Sequence, residues 1–413
     1  MKRLLILFPA IVLFFSACEK NAPVEGNGVK TPKQLSFSTS DEQLLYRTNE
    51  FSFNLLSQVS GSEEMPNVIL SPLSASMLLG MVMNGADGET LQEMQEALGF
   101  EGFTQEQINA YYKQLAEKLP ALDTQTIVKI ANSLWIDNTF PVKQDFVEVN
   151  RESFNATSRN VDMADGGTAD IINRWAADNT NNLIKKVVSA NDIKDCAMIL
   201  ANALYFKGIW EDEFKESKTR ERQFTMFDGA TKNVKMMHRS AYYRYAKSDD
   251  VQWLELPYKG GQYCMDIVLP EQGNNIKDVV KDLTAESWNE LLAQSYFPEV
   301  NLALPKFTLR YNRTLTDDLR AIGIERALSR QAQFPFISDV STYLAWVKQC
   351  CYLAVDEKGT EAAAVTVGGL AATSAGPESI INFVVDRPFL VVIREKTYGT
   401  ILFTAIVGDP TAE

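Results

Sequence analysis

The segment DEKGTEAAAVTVGGLAATSAGP, Asp356 to Pro377, separates a strand-like run that ends at Val355 from the next one, near Ile380. Connections this long are uncommon in compact domains, where they are usually functional or disordered. In an extended chain one face of the segment carries no charge, since it consists of Thr360, Ala362, Ala364, Thr366, Gly368 and Leu370. Glu361 falls on the other face. The segment can therefore remain on the surface as a small-residue linker or enter a sheet as a strand.

The sequence around this segment changes from helical periodicity to strand-like runs at about residue 190. A capping-box pattern at Ser40-Asp41-Glu42-Gln43 and the pair Ser71-Pro72 predict two helix starts. The later strand-like runs are Ala197–Leu200, Asp266–Leu269, Val300–Leu304, Phe389–Ile393 and Ile401–Phe403. Helices early and strands late, with no linker between them, predict one α+β domain over residues 41–413.

Composition excludes several classes of function. The 413 residues carry a net charge of −13, with no strongly basic stretch, so nucleic acid is not expected as a partner. His238 is the only histidine, which rules out a metal site built from several imidazoles. A histidine-activated nucleophile would have to use this one residue, which has no acid beside it in the sequence. The common hydrolase chemistries are therefore disfavoured.

The N-terminus predicts export and lipidation. Lys2 and Arg3 precede an apolar run from Leu4 to Phe15, which is typical of a signal peptide and too short to span a bilayer. Ser16-Ala17-Cys18 resembles a bacterial lipoprotein box, so residues 1–17 would be removed and Cys18 lipidated. Residues 18–40 would then form a flexible tether. The alternative is an ordinary secretory peptide with an incidental cysteine.

The remaining cysteines do not indicate a disulfide scaffold. Cys196, Cys264, Cys350 and Cys351 have no CxxC spacing, and four cysteines are few for a chain of this length. Cys350 and Cys351 are adjacent in a strand-like run and should point to opposite faces. We expect all four to be buried free thiols.

Several motifs in sequence order resemble those of the serpin family. Glu357, Gly359, Thr360, Glu361, Ala362, Ala363 and Ala364 resemble the hinge of the serpin reactive-centre loop, and Asp386-Arg387-Pro388-Phe389 resembles the segment after that loop. Asn67–Ser74 resembles the shutter helix, and Met83–Ala86 continues it. Asn202–Trp210 resembles the signature of the central sheet, in which Asn202 with Ser71 corresponds to the shutter and Trp210 to the breach. Gly408-Asp409-Pro410 resembles the motif with which serpin sequences usually end.

This resemblance implies the serpin fold, in which N-terminal helices pack on a large central mixed sheet, with further sheets and an exposed reactive-centre loop at about residues 357–380. The sequence departs from the family pattern in three places, one of them a pair of glycines. Gln349 stands roughly where many serpins have a shutter histidine, so an amide must make that hydrogen bond or it is absent. Val365 replaces a small residue on the outward face. Gly368-Gly369 is expected to slow loop insertion by enlarging the unfolded ensemble of the loop.

The resemblance also implies the function, a suicide substrate that traps a serine protease as an acyl-enzyme. No residue of the chain would be catalytic, and no cofactor or metal would be needed. The family spacing from the hinge glutamate puts the reactive bond between Thr373 and Ser374, with Leu370, Ala371 and Ala372 before it. These side chains suit a shallow, elastase-like pocket rather than a trypsin-like one. We expect a monomeric, exported bacterial lipoprotein of the cell envelope, at the outer membrane or cell surface, anchored to the membrane through Cys18.

Two other functions remain open at this point. A non-inhibitory serpin acting as a binding module would be cleaved in the loop without forming a covalent product. A surface glycan-binding or hydrolytic lipoprotein would need paired carboxylates and stacking aromatic residues around a cleft. The six tryptophans permit such a cleft, but no acidic pair stands out in the sequence.

Overall fold

The computed structural model describes residues 33–64, 66–360 and 380–412. These residues contain ten α-helices and sixteen strands, and the strands form three sheets. The helices are α1 Thr39–Ser62, α2 Pro72–Met83, α3 Gly88–Leu98, α4 Gln105–Lys118, α5 Gln144–Phe154, α6 Gly167–Asn179, α7 Ala190–Ile193, α8 Ile276–Lys281, α9 Ala285–Ala293 and α10 Thr316–Ala321. The strands are β1 Asn67–Leu70, β2 Ile127–Asp137, β3 Ala156–Val161, β4 Met198–Ile209, β5 Arg220–Thr225, β6 Thr231–Tyr242, β7 Tyr245–Lys247, β8 Val251–Pro257, β9 Tyr263–Pro270, β10 Glu299–Pro305, β11 Phe307–Thr314, β12 Lys348–Val355, β13 Gly359–Thr360, β14 Ile381–Val384, β15 Phe389–Glu395 and β16 Ile401–Val407.

The largest mixed sheet has the strand order β11-β12-β13-β4-β2-β3. The long strands β2 and β4 are antiparallel and pair from Ile127 opposite Lys207 to Ile136 opposite Met198. The two-residue strand β13 is antiparallel to both β12 and β4. Therefore β12 and β4 run parallel to each other, with the short β13 between their C-terminal ends.

Two further sheets complete the architecture. One has the order β1-β16-β15-β9-β8-β7, and β9, β15 and β16 are buried along their whole length. Strand β16 carries no charged residue, whereas β9 and β15 bury Asp266, Arg394 and Glu395. The buried Arg394 pairs with Asp266 of β9 at 2.6 Å, which offsets part of the cost of burying both charges. The other sheet has the order β14-β10-β6-β5, and β14, which begins just after residue 380, pairs in parallel with β10.

The first helix starts two residues earlier than its sequence pattern predicts. Ser38 is the N-cap, since its hydroxyl accepts a hydrogen bond from the amide of Asp41 while the Asp41 carboxylate accepts one from the amide of Ser38 at 2.9 Å. The predicted capping box at Ser40–Gln43 is wrong because Ser38 and Asp41 have the same three-residue spacing and close the box instead. The predicted start of α2 is confirmed, with Ser71 as N-cap and Pro72 at its first position. None of the described helices is long and apolar enough to cross a membrane.

The strand-like runs of the second half lie in strands except for Ala197, which directly precedes β4. The helical first half contains three strands that its periodicity does not predict. Residues Asn67–Leu70, within the stretch that resembles the shutter helix, form β1 rather than helix. Strand β2 pairs with β4, about 70 residues later in the chain. Such pairing is a long-range effect that overrides local propensity.

The four described cysteines are free thiols. Cys351 faces the core and Cys350 the opposite side of β12, as predicted from their adjacency. Cys196 and Cys350 are only half-buried, so the expectation of four buried thiols holds for Cys264 and Cys351 alone.

Candidate functional site

The residues of the predicted hinge make a tight reversal from β12 into β13. The amide of Asp356 donates to the carbonyl oxygen of Gly359 at 2.9 Å, and the Asp356 carboxylate accepts hydrogen bonds from the amides of Lys358 and Gly359. An aspartate that bonds amides two and three residues ahead is a common turn former. After this turn Thr360 lies opposite Val355 on β12 and Gly208 on β4.

Only glycine fits at residue 359. A Cβ atom there would lie 2.1 Å from the carbonyl oxygen of Gly208 and 2.8 Å from the Cα of Ile209. Both are backbone atoms, which do not move aside as a flexible side chain would. Close backbone approach at Gly359 therefore allows the hinge to enter the sheet.

Thr360 is held in the sheet by an aromatic stack. Its hydroxyl lies 2.5 Å from the hydroxyl of Tyr258, whose ring stacks on Trp210 at 4.7 Å between centroids. Burial raises the pKa of Tyr258, so its hydroxyl stays neutral. The indole nitrogen of Trp210 donates to the carbonyl oxygen of Asp356 at 2.9 Å. Trp210, predicted as the breach residue, thus contacts the hinge turn directly.

Glu357 anchors the turn by an ion pair. Its carboxylate accepts hydrogen bonds from the Lys306 ammonium at 2.7 Å and the Thr219 hydroxyl at 2.8 Å. Burial acts to raise the pKa of Glu357, but these two donors outweigh it and hold the pKa below its ordinary value of 4.5. The carboxylate is therefore charged at neutral pH.

The hinge differs from the prediction of an exposed loop beginning at about residue 357. Glu357, Gly359 and Thr360 are all buried, and Thr360 is only 3 % exposed. The turn, the ion pair and the Tyr258 contact are tertiary effects that draw the first part of the predicted loop into the sheet.

Beyond Thr360 the two parallel strands β4 and β12 stand apart. No backbone ladder joins them within the described ranges 33–64, 66–360 and 380–412. A cavity of about 350 Å³ lies between them and is also lined by α2 and α6. Its walls include Leu200, Ala201 and Asn202 from β4 and Lys348, Gln349 and Cys350 from β12. A second, small cavity beside Thr360 lies on the same line between Leu204 of β4 and Tyr352 of β12.

The N-terminal turn of α2 contacts both strands beside this gap. Gln349 of β12 makes two hydrogen bonds with the backbone of Ser71, accepting from its amide at 3.0 Å and donating to its carbonyl oxygen at 2.8 Å. Ser74 donates to Asn202 of β4, which in turn donates to Asn132 of β2 at 2.6 Å. The side-chain amide of Gln349 thus bonds the start of α2 to β12. Of the two alternatives for residue 349, a hydrogen bond made by an amide or no hydrogen bond, the structure has the first.

The structure brings together the described site residues Ser71, Asn202, Trp210, Gln349, Glu357, Gly359 and Thr360 around one gap in one sheet. Glu361–Ala364, Leu370–Ser374 and Cys18 lie outside the described residues. Sequence reasoning missed Lys306, Thr219, Tyr258 and Asn132. Lys306, Thr219 and Tyr258 contact hinge residues that lie 51 to 138 positions away in the chain. Asn132 contacts Asn202, which is 70 positions away. No local sequence signal identifies contacts between residues so far apart.

Comparison with known proteins agrees with this geometry. A family model described as serpin (serine protease inhibitor) matches residues 46–410. Human neuroserpin is 32 % identical over 376 residues, which cover 87 % of this chain and 90 % of neuroserpin. Iripin-3 of Ixodes ricinus is 32 % identical over 383 residues, covering 91 % of this chain and 96 % of iripin-3.

A solved structure has the same fold. The thermophilic serpin tengpin in its native state superposes with a TM-score of 0.81 at 28 % sequence identity, covering 92 % of this chain and 96 % of tengpin. The hinge and the gap in the central sheet agree with the family match, which covers most of the chain. This chain therefore belongs to the serpins, a family of serine protease inhibitors.

Proposed function

We propose that this serpin inhibits its target as a suicide substrate. The observation that supports this most is the position of Gly359 and Thr360, which occupy the first strand position between the parallel strands β4 and β12. The chain that follows them has uncharged small residues at alternate positions. It is therefore suited to continue the same strand along the cavity between β4 and β12.

The proposed reaction begins as ordinary proteolysis. The protease serine attacks the carbonyl carbon of Thr373, the peptide bond to Ser374 breaks, and Ser374 leaves with a new amino terminus. The product is an ester between Thr373 and the protease. Water would normally hydrolyse this ester, but insertion of the severed loop carries the protease away and distorts its active site before hydrolysis occurs.

Loop insertion is favoured by backbone pairing. About a dozen residues gain ladder hydrogen bonds, each worth roughly 0.5–1.5 kcal/mol net. The entropy of ordering them opposes this gain, so strain stored in the open sheet must contribute as well. Serpin loop insertion is itself a known example of strand addition and of strain release.

The target we propose is an elastase-like or other small-residue-preferring serine protease. The stretch Leu370–Ser374 contains no arginine, lysine or aromatic residue. A pocket with a buried aspartate would find no cation here, whereas a shallow pocket accepts threonine or alanine.

The proposed location is the cell envelope, with the domain attached through lipidated Cys18. Cys18→Ala should abolish incorporation of labelled fatty acid and leave a soluble protein that still inhibits. Loss of inhibition in the soluble variant would show that the lipid contributes to the inhibitory domain.

Denaturing electrophoresis with pancreatic elastase tests the function. A trapped protease gives a band that survives denaturation, at the summed mass of both chains less the released C-terminal peptide. Trypsin should cleave the loop poorly. Complete cleavage by elastase without this band, at every ratio of the two proteins, would reject inhibition and favour the non-inhibitory alternative.

Thr360→Arg tests the insertion step separately. Thr360 already lies buried between β4 and β12 before cleavage. The guanidinium would therefore have to lie under the central sheet in the intact protein as well, where an unpaired buried charge costs several kcal/mol, so this change should expel the hinge from the sheet and oppose insertion. We expect cleavage at the same bond, with active protease released. Glu361→Arg is the matched control, because its side chain falls on the opposite face of an extended strand. Equal trapping by parent and Thr360→Arg would contradict the insertion register.

A further inference from the structure

His238, the only histidine of the chain, contacts the turn that precedes β5. It lies on β6, and continuing the pairing of Arg220 with Met236 by two residues brings it opposite Lys218, the last residue of the 3₁₀ turn Glu216–Lys218. Its Nδ1 atom lies 3.2 Å from the carbonyl oxygen of Lys218 and 3.0 Å from that of Met236. Because both partners are acceptors, Nδ1 must carry a hydrogen and donate it to them.

The second ring nitrogen of His238, Nε2, is closed off from solvent. It is buried and has no hydrogen-bond partner among the residues that the structure describes. In the neutral ring this atom has only a lone pair, but a second proton would turn it into a charged N–H group without an acceptor. Burying such a group is strongly unfavourable. The observed position of the ring therefore suits the neutral imidazole and not the imidazolium.

The charges around the ring would push an imidazolium outward. The charged groups on the elements packed against it are Glu216 and Lys218 of the turn, Arg220, Glu221 and Arg222 of β5, Lys235 and Arg239 of β6, Glu299 of β10 and Lys306 directly after β10. Cations outnumber carboxylates in this set. Arg239 pairs with Asp212 at 2.6 Å, and Lys306 pairs with Glu357 at 2.7 Å. Lys218 lies directly opposite the ring, so an imidazolium would face a like charge there.

Strand β6 positions both side chains that hold Glu357 at the hinge. Thr219, which follows Lys218, donates its hydroxyl hydrogen to the Glu357 carboxylate at 2.8 Å. The carbonyl oxygen of Lys235 on β6 accepts a hydrogen bond from the amide of Lys306, the ion-pair partner of the same carboxylate. The ring contact with Lys218 lies at the surface, where water can replace it when the ring moves. Movement of the ring would therefore loosen one of the two contacts that anchor the hinge.

We propose that His238 is a pH-sensitive brace of the hinge, which holds the turn at neutral pH and releases it in mild acid. Histidine is the side chain whose charge ordinarily changes between about pH 5 and pH 8. When Nε2 takes up a proton, the ring turns towards solvent and leaves Lys218, and Thr219 then holds Glu357 less tightly. The use of this brace rests on the proposed inhibitory function, since a loosened hinge should slow loop insertion and let more protease escape in mild acid.

Hydrogen exchange of the intact protein, followed by mass spectrometry, tests the brace without any protease. The amides of Trp210 and Phe214 donate to the carbonyl oxygens of Lys358 and Glu357, at 2.9 and 2.8 Å, so their exchange reports the state of the hinge turn. After correction for the intrinsic exchange rate, we expect these amides to exchange about fivefold faster at pH 5.5 than at pH 7.5, as for the loss of one hydrogen bond. Glu357 stays charged over this interval, because its pKa lies below 4.5.

Two variants of the same residue separate charge from contact. His238→Gln still has a side-chain donor but does not titrate, so the difference between the two pH values should disappear. His238→Ala removes the contact, so exchange should be fast at both pH values. In the parent the single histidine gives one ring-proton NMR signal, and the exchange rate should follow the titration of that signal.

Asp266→Asn is the control for another group that titrates in the same interval, because burial raises the pKa of Asp266 to about 6. Asp266 lies on β9 in a different sheet, so this variant should keep the pH response of the hinge. A response that survives in His238→Gln and disappears in Asp266→Asn would reject the brace. Equal exchange of the parent at both pH values, or slow exchange of His238→Ala at pH 7.5, would reject it too. A parent that traps no elastase would reject the proposed function alone, since the exchange measurement involves no protease.

Discussion

Glu357 is the residue whose charge holds the hinge turn against the neighbouring strands. Its side chain is 8 % exposed, while that of its partner Lys306 is 41 % exposed. Because the pKa of Glu357 is lowered in the folded protein, its contribution to stability is complete above pH 4.5 and is lost as the pH falls through the folded value. The ion pair therefore stabilises the turn at neutral pH.

Glu357→Gln keeps the shape of the side chain but removes the charge that pairs with Lys306. We expect the free energy of unfolding to fall by about 1–2 kcal/mol, less than for a fully buried pair because Lys306 is partly solvated. Urea unfolding of Glu357→Gln, Lys306→Met and the double variant measures the coupling. Additive losses in the double variant would show that the two side chains do not interact energetically.

At the scale of elements, a strap formed by residues 180–197 runs from α6 to β4 and is bonded to the strands across the gap. The Asp192 carboxylate pairs with Lys348 of β12 at 2.7 Å. The carbonyl oxygen of Asp192 accepts from the indole of Trp346 at 3.3 Å, and that of Leu183 accepts from Arg310 of β11 at 3.0 Å. The strap thus bonds the β4 side of the sheet to the β12 side, and α2 does the same on the other side through Gln349 and Asn202.

Asp192→Asn should loosen this strap and lower thermal stability at neutral pH. Hydrogen bonds from Lys348 and Ser189 lower the pKa of Asp192 to about 2. Its stabilising effect is therefore complete above its ordinary pKa of 3.8 and is lost as the pH falls towards about 2. The difference in melting temperature between parent and Asp192→Asn should shrink over this interval.

The matched control is Asp195→Asn, the same change at an exposed position of the same strap. It should leave the melting temperature at neutral pH nearly unchanged. A melting-temperature difference between parent and Asp192→Asn that stays constant from pH 7 to pH 2 would show that the carboxylate charge is not what holds the strap.

At the scale of the whole molecule, the central sheet has room for one more strand. Within the described residues, β13 supplies only Gly359 and Thr360 between β12 and β4, although β12 has 8 residues and β4 has 12. Where two strands face each other across a gap, no β-ladder joins their backbone N–H and C=O groups. Burying such groups without hydrogen-bond partners raises the free energy of the folded protein. A strand inserted along the gap would pair them.

Cleavage of the predicted loop by elastase should therefore raise the melting temperature of the protein. The new ladder bonds, together with the strain released when the loop enters the sheet, should raise the melting temperature by at least about 10 °C. Circular dichroism of the cleaved and intact proteins measures it. The cleaved Thr360→Arg variant should show a much smaller increase, and a cleaved parent that melts no higher than the intact protein would contradict insertion.

The sequence by itself determined the family, the α+β class and the strand-like runs of the second half, because these depend on local periodicity and on motifs that the chain carries whole. Ser71 and Gly359 were identified from such motifs. Tertiary structure alone decided that β2 is a strand, that Lys306 and Tyr258 hold the hinge, and that Glu357, Gly359 and Thr360 are buried. Each of these results from pairing or packing between segments distant in the chain, which appears only when the sheet has formed.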